Sequence, residues 1–276
     1  MKARLDKLLM ERQLCRSRSR AQQRTLDGEV RVNGQIIRRP GTLVDAMADI
    51  SFVGEDIPYV SRGGVKLAAA LDHWKIDLAG RVCLDIGAST GGFTDCMLQR
   101  GAGRVVCVDV GKGQLAPQLR ADPRTCPMEQ THARDLHPAM LPADISLITV
   151  DVSFIAASLV LPNVIASAFS TPLAAGRPGR CVVVLVKPQF EAGREHVGKG
   201  GIVRSATAQT AAVERVRQVL LDCGASRTDV IDSPVFGGDG NREFLLYAEF
   251  PFSPGYNATR KEQAVPFTKA ARTGKL

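Results

Sequence analysis

The feature that most constrains the fold is an alternation of short apolar segments with helical ones along residues 65–250. The pattern predicts strands at 81–86, 104–110, 145–150, 181–186 and 244–248, and helices at 93–100, 113–121 and 207–222. Strands that are apolar throughout are typical of a parallel sheet covered by helices on both faces. The sequence therefore predicts an α/β domain with a doubly wound, Rossmann-like sheet.

The first 58 residues follow a different pattern. Apolar residues at helical spacing from Leu5 to Leu26 predict two short helices, with Ser17 as the expected cap of the second. A hairpin is predicted around the Asn33-Gly34 pair. We therefore expect a small α+β domain over 1–58. A linker is expected over 59–64, because Gly, Pro and charged residues cluster over 53–64. A polar, disordered tail is expected over 251–276.

Positive charge is concentrated at the N-terminus. The chain has a formal net charge of +8, and residues 1–40 carry eleven Lys/Arg against four Asp/Glu. Such a cluster favours a polyanionic partner that meets the N-terminal domain first. With three Tyr and one Trp in the chain, contact with phosphates is favoured over base stacking.

Several classes of protein are disfavoured by composition. The seven cysteines form no CxxC pair and the four histidines lack ligand spacing, so we expect reduced cysteines and no metal site. No run of eighteen apolar residues and no signal-peptide core is present. The expectation is a cytoplasmic protein that does not act at a membrane.

A loop of small residues follows the first strand of the predicted sheet. It fits neither G-x-G-x-x-G nor the P-loop, because Ser89 replaces the second glycine and no lysine follows Gly92. An acid followed by such a turn suits a methionine-derived sulfonium ligand. The candidate cofactor-binding residues of this segment are Asp85, Gly87, Ala88, Ser89, Gly91, Gly92, Phe93 and Thr94.

Asp109 supports a nucleoside cofactor. It ends the second predicted strand, twenty-four residues after Asp85. An acid in this position can accept hydrogen bonds from both ribose hydroxyls of an adenosine. The two acids together favour a cofactor over a plain strand-to-helix turn.

Four charged residues lie at or near the predicted strand ends. Asp151 and Lys187 each follow an apolar strand, so both are expected at the carboxyl edge of the sheet, where open α/β folds bind ligands. A lysine there can remove the proton of a ribose 2′-hydroxyl during methyl transfer. Lys66 and Glu243 are the other two candidates, and each alone would be taken for a surface charge.

Four motifs together resemble the TlyA, or haemolysin-A-like, family of rRNA methyltransferases. They are Arg4-Leu5-Asp6-x-Leu-Leu, Tyr59-Val60-Ser61-Arg62-Gly63-Gly64-x-Lys66-Leu67, the loop from Leu84 to Thr94, and Val186-Lys187-Pro188-Gln189-Phe190-Glu191. The resemblance covers roughly residues 1–250. It implies an S4-like RNA-binding domain, an FtsJ-like methyltransferase domain, and ribose 2′-O-methylation of ribosomal RNA from S-adenosylmethionine.

The resemblance also implies roles for individual residues. The family's catalytic set would fall on Lys66, Asp151, Lys187 and Glu243, with Lys187 nearest the 2′-hydroxyl. Asp135 would lie with the cofactor's adenine, in a segment where His132 replaces an expected Asn. The expected partner is ribosomal RNA or a ribosomal subunit, contacted by Arg4, Lys7, Arg16, Arg18, Arg20, Arg24 and Arg62.

Three other functions remain open. A noncatalytic RNA-binding or ribosome assembly factor would keep the fold without the chemistry, although all four candidate catalytic positions are intact. A base methyltransferase would need an Asn-Pro-Pro-Tyr-like motif or a catalytic cysteine, and the segment from Asp151 to Phe154 is not that motif. A cytolysin would need an apolar or amphipathic reach that this sequence lacks.

Overall fold

The computed structural model describes residues 2–12, 14–15, 18–26, 28–53, 57–174, 178–237 and 240–251, with 19, 20 and 23 described by their backbone only. Two predictions fall mostly or wholly outside these residues. They are the cap at Ser17 and the disordered tail over 251–276.

The N-terminal region forms a small α+β unit. Its elements are β1 (Lys2–Arg4), α1 (Leu5–Glu11), α2 (Arg18–Leu26), β2 (Val30–Val32), β3 (Gln35–Ile37), β4 (Leu43–Asp45) and β5 (Ile50–Phe52). Asn33 and Gly34 both have positive φ at the tip of the β2–β3 hairpin, as the Asn-Gly pair predicts. Leu5, Leu9 and Val30 are fully buried in the core beneath the two helices.

The larger region alternates strands with helices. In chain order they are α3 (Arg62–His73), β6 (Val82–Ile86), α4 (Gly92–Gln99), β7 (Arg104–Val108), α5 (Pro117–Arg120), β8 (Thr125–Met128), β9 (Ile145–Val150), α6 (Ala157–Ala168), β10 (Arg180–Val186), α7 (Pro188–Glu191), α8 (Ala206–Asp222), β11 (Arg227–Asp232) and β12 (Phe244–Phe250).

These strands form one sheet that confirms the predicted α/β fold. In the described part of the chain it has seven strands in the order β11-β12-β10-β9-β6-β7-β8. β12 runs antiparallel to both of its neighbours, whereas β6 to β10 pair in parallel. The sheet is therefore mostly, not wholly, parallel.

Each face of the sheet carries its own core, because successive residues of a strand point to opposite sides. Cys83 faces α3 and α4 together with Val183, whereas Leu84 faces α6 and α8 together with Val182. These residues are all buried. The double covering explains why β6, β9 and β10 are apolar throughout.

The structure differs from the predicted linker over 59–64. Helix α3 begins at Arg62, and Tyr59 and Val60 are buried in the core of the larger region. Gly64 fits closely against Tyr59, since a Cβ there would lie 2.3 Å from that ring. Gly64, one of the residues that suggested a linker, thus allows close packing of α3 instead.

The two edge strands, β8 and β11, were not predicted from the sequence. β8 contains Pro127 and β11 is only half-buried, so neither shows the continuous apolar run of the central strands. The predicted helix at 113–121 is only the four-residue α5.

The cysteines are free thiols, and five of the seven are buried. Burial raises the pKa of Cys107 to about 12, so this thiol is protonated at neutral pH. Within the described residues, no helix combines the length and apolar character needed to cross a membrane.

Candidate active site

The central strands end level with one another and open onto a pocket. Ile86 of β6 pairs with Val108 of β7 and with Val150 of β9, which sets this edge. The pocket is an open cleft with a volume of about 220 Å³. Its lining residues are Ser61, Arg62, Gly63, Lys66, Gly87, Ala88, Ser89, Thr90, Gly92, Phe93, Asp151, Ser153, Lys187 and Phe236.

Glycine is required at two positions of the predicted cofactor loop. Gly87 has φ +82°, and a Cβ there would lie 2.4 Å from the Asp151 carbonyl oxygen. Gly91 has φ +95°, and a Cβ there would lie 2.3 Å from Leu119. The loop can therefore pass between β9 and α5 only with glycine at these places.

Asp85 does not face the pocket, which corrects its predicted contact with a ligand's ammonium group. Its carboxylate is fully buried and accepts hydrogen bonds from Thr94 Oγ1 at 2.6 Å and Thr149 Oγ1 at 3.0 Å. Burial raises the pKa of Asp85 to about 6, against the opposing effect of both hydroxyls. Thr94 is likewise buried, so both side chains brace the loop from beneath.

Asp109 lies where the sequence places it, at the end of β7. Its Oδ2 accepts from the backbone N–H of Ser89 at 2.8 Å, and its Oδ1 accepts from that of Gly111 at 2.7 Å. The carboxylate is half-buried and tied to the glycine loop. Each oxygen retains a lone pair that can accept from a hydroxyl.

Asp135 is exposed in a short 3₁₀ turn, Ala133–Asp135, and is not among the residues that line the pocket. His132 caps this turn, since its Nδ1 accepts from the backbone N–H of Arg134 at 3.0 Å. An asparagine Oδ1 stands the same number of bonds from the backbone. The histidine can therefore perform the capping that the expected asparagine would perform.

Lys187 and Asp151 form an ion pair at the ends of β10 and β9. The Lys187 Nζ lies 2.7 Å from Asp151 Oδ1 and donates to Ser153 Oγ at 2.8 Å. The exposed fraction of the two charged side chains is 12% and 24%. This pairing follows from the parallel register, in which Val184 lies opposite Val150.

Lys66 and Glu243 form a second, more buried ion pair. Lys66 Nζ donates to Glu243 Oε2 at 2.5 Å, and the exposed fractions of these side chains are 11% and 3%. The antiparallel direction of β12 explains why Glu243 reaches this edge. Phe244 pairs with Val186, so the residue that precedes β12 lies beside the one that follows β10.

Six of the seven predicted RNA-contacting residues divide into three groups. Arg62 lines the pocket, and Lys7 is exposed on α1. Arg4 and Arg18 are exposed but bind the buried carboxylate of Asp6 at 3.0 Å. Arg16 and the side chain of Arg20 lie outside the described residues.

Arg24 is not available at the surface, which corrects its assignment to a phosphate-facing helix side. Its side chain is 4% exposed, its Nε lies 3.0 Å from Glu29 Oε2, and its guanidinium stacks on the Phe52 ring. Arginine stabilises such stacked and paired positions inside a small domain. Arg24 thus contributes to folding.

Five residues that line the pocket are not among the predicted site residues: Ser61, Gly63, Thr90, Ser153 and Phe236. Ser153 follows Asp151 by two residues, so its place near the strand end was readable from the sequence. Phe236 lies in a loop between β11 and β12 that no sequence pattern connects to the site. Within the part of the chain that the structure describes, no group of three or more His, Cys, Asp or Glu could hold a metal ion.

Comparison with known proteins gives the class. The FtsJ-like methyltransferase model matches residues 59–250, and the S4 domain model matches residues 3–50. Among curated proteins, the candidate rRNA methyltransferase YqxC of Bacillus subtilis is 42% identical, with 91% of this chain and 86% of that protein covered.

A second curated protein and a solved structure are also similar to this chain over most of its length. The "16S/23S rRNA (cytidine-2'-O)-methyltransferase TlyA" of Mycobacterium tuberculosis is 39% identical over 96% of both chains. A solved structure from Streptococcus thermophilus, described as a candidate hemolysin, is 40% identical, covers 92% of this chain and 90% of that one, and has a TM-score of 0.66.

An S4 domain joined to a methyltransferase sheet is the architecture that these matches define. The chain belongs to the FtsJ-like methyltransferase family and, within it, to the S4-containing group that includes TlyA.

Proposed function

We propose that this protein transfers a methyl group from S-adenosylmethionine to a ribose 2′-hydroxyl of ribosomal RNA. The observation that carries the proposal is the joint placement of two lysine–carboxylate pairs and the glycine loop around one pocket. The TlyA relative, whose name states this reaction, supports the choice of ribose over base.

The pocket fits the cofactor. S-adenosylmethionine, when bound, supplies a methyl group on a positively charged sulfur. Asp109 would accept from the ribose hydroxyls, because its two oxygens face the loop and are not neutralised by a cation in the contacts described. The main chain of Gly87, Ala88 and Ser89 would lie against the methionine portion, because these three residues carry no side chain larger than that of serine.

Lys187 would remove the proton. Methyl transfer forms a bond from the 2′-oxygen to the methyl carbon, breaks the carbon–sulfur bond, and leaves the electron pair on sulfur. Lys187 Nζ, once its ammonium has released one proton to solvent, takes the 2′-hydroxyl proton, and Asp151 at 2.7 Å stabilises the ammonium that results.

Lys66 and Glu243 would hold the wall of the pocket. Their buried pair joins α3 to the start of β12, and so fixes two segments between which the acceptor nucleotide would enter. Lys66 also lines the pocket, where Glu243 neutralises its charge. We assign it the positioning of substrate and not the transfer of a proton.

RNA capture is assigned mainly to the N-terminal region. We propose an RNA-binding domain over 1–58 and a catalytic domain from about residue 59 to 250, which the ranges of the two family matches support. The exposed cations Arg4, Lys7 and Arg18 would contact phosphates. A ribosomal substrate also supports a cytoplasmic location.

The experiment is transfer of labelled methyl from S-adenosylmethionine to ribosomal subunits that lack the modification, with nucleosides separated after digestion. Label on a ribose 2′-oxygen is the expected result. Label on a base would keep the methyltransferase assignment and overturn the ribose chemistry. Binding of RNA without any transfer would favour an assembly factor.

A further inference from the structure

Lys187 donates a hydrogen bond to Ser153 in addition to its ion pair with Asp151. Its Nζ donates to Ser153 Oγ at 2.8 Å while Asp151 Oδ1 lies 2.7 Å away. Ser153 is exposed, and both Ser153 and Lys187 line the pocket. One amine thus contacts two oxygens that come from the same strand end.

The hydrogen bond to Ser153 and the ion pair with Asp151 together fix the direction in which the Lys187 amine can accept a proton. An amine nitrogen has four tetrahedral positions, of which the side-chain carbon takes one. In the neutral amine, Ser153 Oγ takes one N–H and the negative charge of Asp151 favours the second N–H on its own side, so a single position remains for the lone pair that accepts a proton. With Asp151 alone, the amine could rotate about its Cε–Nζ bond, and the lone pair would share its time between two positions.

We propose that Ser153 is a positioning residue that orients the lone pair of Lys187 toward the 2′-hydroxyl. This inference rests on the proposed function. The proton leaves the 2′-oxygen and bonds to Lys187 Nζ in the one unoccupied position, while the N–H groups toward Asp151 and Ser153 stay as they are. Ser153 itself gains and loses no proton.

The turn that carries Ser153 is held in an unfavourable conformation. Phe154 has φ +66°, a region that residues with a side chain rarely adopt. On one side the backbone N–H of Asp151 donates to the Ile86 carbonyl at 2.9 Å, and on the other the Phe154 ring packs against Phe190 at 5.7 Å. Backbone held away from its preferred conformation is common at functional sites.

Two buried hydrogen bonds join the segment after Lys187 to the segment after Ser153. Glu191, which ends α7, is 2% exposed and accepts from Ser158 Oγ at 2.6 Å and from the Ser158 N–H at 3.2 Å. Ser158 lies in the first turn of α6, just beyond the Ser153 turn. The segment after Lys187 and the segment after Ser153 are therefore joined at their far ends, which holds the lysine and the serine in register.

The test compares Ser153→Ala and Ser153→Thr, with Ser233→Ala as a control that removes a loop hydroxyl bonded to the Val235 carbonyl instead. Ser153→Ala is expected to lower kcat about 10-fold, since misplacement of a reacting group costs up to about 100-fold. The KM for RNA and the cofactor affinity should change less than about twofold. Ser153→Thr keeps a hydroxyl and should recover most of kcat, because the acceptor is restored.

Each possible result of this test either supports or contradicts the role proposed for Ser153. Wild-type kcat in Ser153→Ala, or equal losses in the Ala and Thr variants, overturns the inference. A rise in KM without a change in kcat also overturns it, because Ser153 would then contact RNA directly. If the unaltered protein fails to methylate ribose, the proposed function itself fails, and that result is seen before any variant is measured.

Discussion

Two fully buried aspartates, one in each region, titrate in opposite directions. Asp6 in the N-terminal region accepts from Arg4, Arg18 and Gln22, and these hydrogen bonds, Arg4 foremost, hold its pKa far below the usual range. Asp85 beneath the cofactor loop has uncharged donors, the hydroxyls of Thr94 and Thr149 and the Thr94 backbone N–H, and burial raises its pKa to about 6. Burial alone therefore does not set a charge, because the partners decide it.

The two regions also differ in how far their charged groups are exposed to solvent, and this difference matches the roles proposed for them. In the N-terminal region Arg4 and Arg18 share one buried acid, Asp6, and stay half-exposed, so the cluster presents a net positive charge to solvent. In the pocket, Lys66 and Glu243 neutralise each other out of solvent. The first arrangement suits a long-range, salt-dependent contact, and the second suits a fixed geometry.

The largest effect is expected at the buried pair. Lys66→Met leaves Glu243 buried without a counter-charge, and breaking such a pair costs about 3–5 kcal/mol in free energy of unfolding. Urea denaturation followed by circular dichroism measures the loss. The matched double variant Lys66→Met/Glu243→Gln should recover most of the stability but not the methyl transfer. A single variant as stable as the original chain would contradict the pairing.

Asp85→Asn is expected to stabilise the protein at neutral pH. Because the pKa of Asp85 is raised in the folded state, folding takes up a proton between about pH 4 and 6, and its destabilising effect is complete above pH 6. A shift from 3.8 to about 6 corresponds to roughly 3 kcal/mol. The gain should be present at pH 7.5 and absent at pH 4, as measured by urea unfolding.

Asp6→Asn serves as the opposite control. The lowered pKa of Asp6 contributes stability that is present above about pH 4 and is lost as the pH falls further. This variant should therefore be less stable than the original chain at pH 7.5, and the difference should shrink in acid. The same sign for both variants would refute the contrast between the two aspartates.

The smallest expected effect lies on the surface. Lys7→Ala should lower RNA affinity and reduce the slope of log affinity against log salt by about 0.7–0.9, the value for one lost phosphate contact. Arg24→Ala should leave that slope unchanged and lower stability instead, since Arg24 is buried against Phe52. Filter binding over a salt series distinguishes them. An unchanged slope for Lys7→Ala would remove this residue from the RNA contact.

Continuous apolar runs made the central sheet predictable. β6, β9 and β10 are buried on both faces, so their sequences alone identify them, and their carboxyl ends mark the site. β8 and β11 lie at the sheet edges with one side toward solvent, and so carry no comparable signal. The direction of β12 was also not readable, although it is what brings Glu243 to Lys66.

The direction in which a side chain points was also not predictable from the sequence. Strand-end position places Asp85 near the cofactor loop, but only the structure shows that Thr94 and Thr149 take up its carboxylate. Likewise, charge counting assigned Arg24 to the surface, whereas Glu29 and Phe52 hold it inside. Sequence position fixes which edge or helix a residue occupies, and packing decides which way it points.

The most direct test of the account is the rate of ribose 2′-O-methylation by Lys187→Ala, measured at saturating RNA beside the unaltered protein. The account predicts that transfer falls by at least about 1,000-fold, since proton removal and transition-state charge stabilisation are both lost. RNA affinity and cofactor affinity should stay within about twofold. Methylation of the ribose at the original rate by this variant would contradict the account.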